Sequence, residues 1–223
     1  MIIAIFCSSI LACKDDDSDY SGIGFSSKER SPVVTFTING EGVRISNTCT
    51  GLWTNNDAMN EVGEVFPEKT TKGFGSVLDS GLDGKQQVTV LISKWVTEDD
   101  IDAESSTSFD NVVEPAVFRK IFNPGGRNYA VEAYQVTTYD EVNIEYTDEN
   151  GTRWSTSFMG NFDNRPSHSE LQPSSKFSII RSMPMGKDSV LVEARFKARF
   201  YKSEKEYVVV SDGYFKGFFY RKM

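Results

Sequence analysis

Histidine is almost missing from this chain: His168 is the one copy in 223 residues. A Ser-His-Asp arrangement would have to use it. No Gly-x-Ser-x-Gly elbow surrounds any serine, and His168, in Asn164-Arg165-Pro166-Ser167-His168-Ser169-Glu170, reads as an exposed loop residue. Cysteine is scarce too, with three copies at 7, 13 and 49. Zinc sites draw three or four ligands from Cys and His, a number this chain cannot assemble once the N-terminal cysteines are otherwise used. Positive charge is in deficit, 24 Lys and Arg against 32 Asp and Glu for a net −8. That balance speaks against a basic surface for nucleic acid or anionic membrane. Long apolar runs are also lacking. The greasiest stretch, residues 1–12, is shorter than the roughly 20 residues a spanning helix needs.

Other chemistry is thin. The glycines of Lys72-Gly73-Phe74-Gly75-Ser76 lack the Lys-Ser/Thr of a phosphate loop. Glycosidase chemistry needs two carboxylates flanking a bond, and among 32 acids no pair stands out. The acidic run Glu98, Asp99, Asp100, Asp102 and Glu104 offers the oxygen ligands calcium favours. It lacks the glycine of an EF-hand loop and reads as a solvated loop. No metal site, cofactor or catalytic residue is expected.

Aromatics are plentiful: 16 Phe, 9 Tyr and 3 Trp, a composition that favours strands. Val34, Phe36 and Ile38 alternate with Thr35 and Thr37, which predicts a strand over Val33–Ile38, and Asn39-Gly40 predicts a hairpin turn after it. Gln86–Trp95 reads as a long strand. The stretch 54–85 reads as loops with short strands. Val142, Ile144 and Tyr146 share a face up to the turn Asp148-Glu149-Asn150-Gly151, and Trp154, Thr156 and Phe158 share one on the return. Val190, Val192, Ala194, Phe196, Ala198 and Phe200 alternate with Glu193, Arg195, Lys197 and Arg199, the pattern of a strand with one buried and one wet face. Asp212-Gly213 marks a bulge or turn. One short helix is expected after Pro115, with Val117, Phe118, Ile121 and Phe122 facing the core until Pro124 and Gly125 end it. The fold class is therefore all-β, an antiparallel β-sandwich or lipocalin-like barrel with one short helix.

The start of the chain carries its own information. Residues 1–12 suit the apolar region of a signal peptide, and the usual basic residues before it are missing, as expected of a start further upstream or of a trimmed signal. Ile10-Leu11-Ala12-Cys13 resembles a bacterial lipobox, whose cysteine becomes a lipidated N-terminus. The run Lys14-Asp15-Asp16-Asp17-Ser18-Asp19 is hydrated and self-repelling, as a flexible tether should be. It also resembles the export signal of Bacteroidota surface lipoproteins. Together with Val33-Val34-Thr35-Phe36-Thr37-Ile38 and the closing Gly213-x-Phe215-x-Gly217, the chain looks like the small Bacteroidota lipoproteins built on a β-sandwich or lipocalin-like domain. The resemblance implies a fold and a place, the outer membrane with the protein facing the cell exterior, and no activity. The expected organisation is 1–12 signal peptide, 13–31 lipidated Cys13 and acidic tether, and 32–223 a single β domain. Cys49, then alone, is expected to pack as a small hydrophobe.

Three further residues are candidates. Trp53 and Trp95 sit beside polar stretches, where a ring could stack on a sugar. Asp188-Ser189-Val190 resembles the triplet that Bacteroidota O-glycosylate, which makes Ser189 a candidate modification site. The expected function is a non-catalytic binding module with a glycan or protein ligand, accessory to glycan or nutrient capture. No nucleic acid is expected as a partner. The alternatives are a lipocalin-like carrier of a small apolar ligand, a carboxylate-based hydrolase and a fimbrial assembly component.

Overall fold

A computed structural model of the chain describes residues 31–46, 52–53, 69–80, 85–102, 112–130, 141–157, 168–203 and 205–221. The chain divides into Met1–Arg30 and Ser31–Met223, and the description below concerns the second unit.

Eleven strands form one sheet. They are β1 Val33–Ile38, β2 Glu41–Ile45, β3 Leu52–Trp53, β4 Lys69–Asp79, β5 Gln87–Thr97, β6 Gly125–Tyr129, β7 Glu141–Thr147, β8 Arg153–Ser155, β9 Lys176–Pro184, β10 Ser189–Ser203 and β11 Glu206–Tyr220. Their order is β2-β1-β11-β10-β9-β6-β7-β5-β4-β3, with β8 joining β7 to β10. Every pairing is antiparallel except β6 with β7, which run parallel at Asn128–Glu141 and Tyr129–Val142. Two short helices accompany the sheet, α1 Pro115–Ile121 and α2 His168–Leu171.

The alternation read from the sequence sets which side of each strand is buried. On β10, Val190, Val192, Ala194, Phe196, Ala198 and Phe200 are buried while Glu193, Arg195, Lys197 and Arg199 face outward. The β1–β2 turn places Asn39 at φ 51° and Gly40 at φ 82°, the left-handed pair that matches the twist of a two-residue hairpin. The expected bulge is present on β11. Val210 and Gly213 lie opposite Ala198 and Phe196, so three steps face two, and Asp212 takes up the excess at φ 51°.

Two expectations need correction. The stretch 54–85 contains an 11-residue strand, β4, paired along its whole length with β5. Its inward positions Lys72, Phe74, Ser76 and Leu78 are buried, but a lysine and a serine among them broke the apolar pattern. The return strand after Gly151 stops at Ser155, and residues 154–157 are all buried rather than alternating. Thr156 leaves the ladder because its hydroxyl accepts from the Ile144 amide at 2.8 Å while its own amide donates to the Ile144 carbonyl at 2.9 Å.

The sheet curls so that its inward faces meet in one core. At one end Phe36 touches Tyr146, Phe196 and Phe200, with ring centroids 5.1–6.1 Å apart. At the other, α1 brings Phe118 and Phe122 onto Phe74, and Phe122 lies 4.7 Å from Phe219. The helix closes the β core as its apolar spacing predicts, starting at Pro115, where the missing amide costs nothing. These are distances of direct ring packing. They favour a filled interior over a lipocalin-like chamber.

The repeated glycines of the last strand have a steric cause. A Cβ on Gly213 would stand 2.5 Å from the Phe196 ring, and one on Gly217 would stand 2.6 Å from Ser76 Oγ and closer still to the Phe215 ring. Gly217 thus lets β11 approach β4. We expect Gly217→Ala to lower unfolding stability by about 1–3 kcal/mol, the usual cost of overpacking, measured by urea denaturation. Gly42→Ala, whose Cβ meets nothing within 4 Å, should change it by less than about 0.5 kcal/mol. Equal losses would refute the steric reading.

Candidate functional site

The outward face of β9, β10, β11, β1 and β2 gathers cations. Residues directly opposed across an antiparallel ladder share a face. One row runs Arg44, Thr35, Tyr214, Arg195, Ser178 from β2 to β9. On β10 the next outward positions are Lys197 and Arg199, and Lys197 stands directly opposite Lys176 of β9. At a rise of about 3.3–3.4 Å per residue, successive outward side chains on β10 are about 6.7 Å apart. Arg44, Lys176, Arg195 and Lys197 are all exposed, and none makes an ion pair with a described carboxylate. Like charges directly opposed are unfavourable, so the Lys176–Lys197 pair works against the sheet that carries it. Arg199 caps the Tyr207 ring at 4.6 Å.

One acid on this face, Glu193, is already engaged. Glu193 lies 3.8 Å from Arg181 of β9. Burial first, and the Glu193 charge second, raise the Tyr214 phenol above its ordinary pKa. Among the described residues the exposed large hydrophobics are Ile180, Tyr207 and Val209, at 45–49% exposure, and all three lie on β9 and β11. The net charge of −8 thus hides a local grouping of cations on this face.

One side chain fills the gap beside β10 where its partner strand changes. β10 pairs with β9 up to Lys197 and with β8 at Tyr201. Between them Gln172, just after α2, fills the gap. Its amide accepts from the Arg199 N–H at 2.9 Å and donates to the Arg199 carbonyl at 2.8 Å and to the Thr156 carbonyl at 2.6 Å. Asn143 Oδ1 accepts from Ser155 Oγ and Thr156 Oγ1 on the other side of the fork.

Arg221, whose side chain is 1% exposed, ties the end of β11 to two loops. It donates to Asp188 at 2.6 Å, to Asp102 at 2.8 Å and to the Val113 carbonyl at 2.8 Å. Burial opposes its charge, and the hydrogen bonds to Asp102 and Asp188 outweigh that and raise its pKa. The acidic run is therefore committed in part. Asp102 serves Arg221, and Asp100 accepts from the amide and hydroxyl of Thr97. No metal-holding cluster occurs among the described residues.

Sequence-level candidates fare unevenly. Trp95 is half-buried on the outward side of β5. Trp53 pairs with Gly75 of β4, four positions along from Thr71, the partner of Trp95, so the backbone does not set the two tryptophans side by side. Trp154 is buried, as its core-strand phase predicts, and its indole donates to Asp148 at 3.3 Å. Ser189 opens β10, and its hydroxyl donates to the Met185 carbonyl at 2.8 Å while the adjacent Asp188 holds Arg221. His168 begins α2 rather than lying in a loop. Cys13, its tether, Cys49, Glu104 and Phe158 lie outside the described residues. Reading the sequence missed Gln172, Arg221 and Glu141, whose partners or burial come from distant segments.

Glu141, at the start of β7, is 3% exposed, and its carboxyl group makes no hydrogen bond or ion pair among the described residues. Burial raises its pKa from 4.5 to about 7. So buried a carboxyl does not reach a substrate from this position.

Compared with family models, curated proteins and solved structures, the chain matches none. The class that fold and site define is an all-β module with a filled core and a basic outer face.

Glu141 gives a pH test. An acid whose folded pKa lies above its unfolded value takes up a proton on folding. Its contribution is present in full below about pH 4.5 and is lost as pH rises through about 7. At 1.36 kcal/mol per pKa unit the loss is about 3 kcal/mol. In urea denaturation Glu141→Gln should exceed the wild type in stability at pH 8, with the gap closing by pH 4.5. A gap independent of pH would contradict this account.

Proposed function

We propose that this protein is a lipid-anchored, non-catalytic binding module that captures its ligand on the outward face of β1, β2 and β9–β11. Acyl chains on Cys13 hold it at the outer membrane, and the acidic segment behind Cys13 spaces the β domain from the lipid on the cell's outer side. The observation that carries the binding reading is the set of four exposed cations without a carboxylate partner among the described residues, in a chain where acids outnumber bases by eight. The ring-filled core supports a surface site over an interior one. The anchoring reading rests on Ile10-Leu11-Ala12-Cys13 and the aspartates that follow. Two or more acyl chains give stable membrane attachment, at about 0.8 kcal/mol per buried CH₂.

Cells producing the protein and grown with labelled palmitate should yield a labelled, membrane-bound polypeptide that protease removes from intact cells. Cys13→Ala should be unlabelled and free of the membrane. An unlabelled, soluble wild type would overturn the anchor.

A further inference from the structure

Resting on that reading of the basic face, we infer that its ligand is a linear polysaccharide carrying carboxylate or sulfate groups. The face is a shallow sheet surface, so it suits an extended chain. Arg195, Lys197 and Arg199 run in line along β10, with Lys176 beside Lys197 and Arg44 on the row of Arg195. Between these cations stand small hydroxyls. Thr35 and Ser178 are on the row of Arg195, and Thr37 is opposite Ser211 on the adjoining strands. Cations spaced among hydroxyls match a polymer whose own acids are spaced among hydroxyls.

One feature weighs against a nucleic acid. Single strands are held by successive open aromatic faces. Here Arg199 covers the Tyr207 ring, Tyr214 is only partly exposed, and Phe218 and Tyr220 lean on each other at 6.2 Å. An anionic membrane is disfavoured because Ile180, Tyr207 and Val209 are borne on strands, not on projecting loops that could enter lipid.

The test uses the full chain, purified in detergent. Its binding to heparin, polygalacturonate, neutral dextran, a thymidine oligonucleotide and phosphatidylglycerol vesicles is compared at two salt concentrations. Heparin or polygalacturonate should bind, dextran should not, and affinity should fall as salt rises. Arg195→Gln with Lys197→Gln should weaken binding at least about tenfold. Lys85→Gln, on an exposed residue outside this face, should leave it within about twofold. Unchanged urea midpoints would show that all variants fold. Tighter binding of the oligonucleotide or vesicles, abolished by the same double variant, would overturn the polysaccharide class and leave the face as a binding site. Failure of every anion to bind, or equal loss with Lys85→Gln, would overturn the face itself.

Discussion

A side-chain amide stands in for a strand residue where this sheet changes width. Two strands, β9 and β6, separate β10 from β7 at one level, and β8 alone separates them at the next. A ladder cannot pass from two strands to one without leaving backbone groups unpaired. Buried unpaired groups cost about 1–3 kcal/mol each. Gln172 removes that cost by meeting both polar groups of Arg199 and the carbonyl of Thr156. Thr156 and Asn143 complete the junction from the β7 side. With the gap filled, β10 runs on past the end of β9.

The same strand serves the interior. Its inward side carries Phe196 and Phe200 into the aromatic core, and the ring of Phe196 lies over Gly213 of β11. Ring and glycine are complementary: a large side chain on one strand takes the space that a missing Cβ frees on the next. Gly217 repeats the arrangement toward β4, with the Phe215 ring and Ser76 Oγ over it. Core packing and the outward cation track are thus two sides of one pair of long strands. Arg221 closes the far end of β11 through Asp102 and Asp188. A buried ion pair of this kind is a weak source of net stability but a costly one to break, so it holds the acidic loop in register with the sheet.

Much of this architecture is legible in sequence because burial on one face imposes a period of two. Val33–Ile38, Val190–Phe200 and the Asn39-Gly40 turn could be placed from local chemistry alone. β4 could not, since Lys72 and Ser76 occupy buried positions that only their neighbours across the sheet explain. The site was half visible. The alternating charges of β10 were plain, but Lys176 and Arg44 lie far from it in sequence and join it only through strand pairing.

By itself the sequence determined the strand-rich class, the inward and outward faces of the best strands, and the expectation of a lipid anchor, because periodicity, turn residues and an N-terminal motif are local properties. Tertiary structure alone decided which charges stand together, which carboxylates are consumed, and which glutamate is sealed from water. Those outcomes depend on contacts between residues far apart in the chain, and net charge, a sum over all of them, carries no record of position.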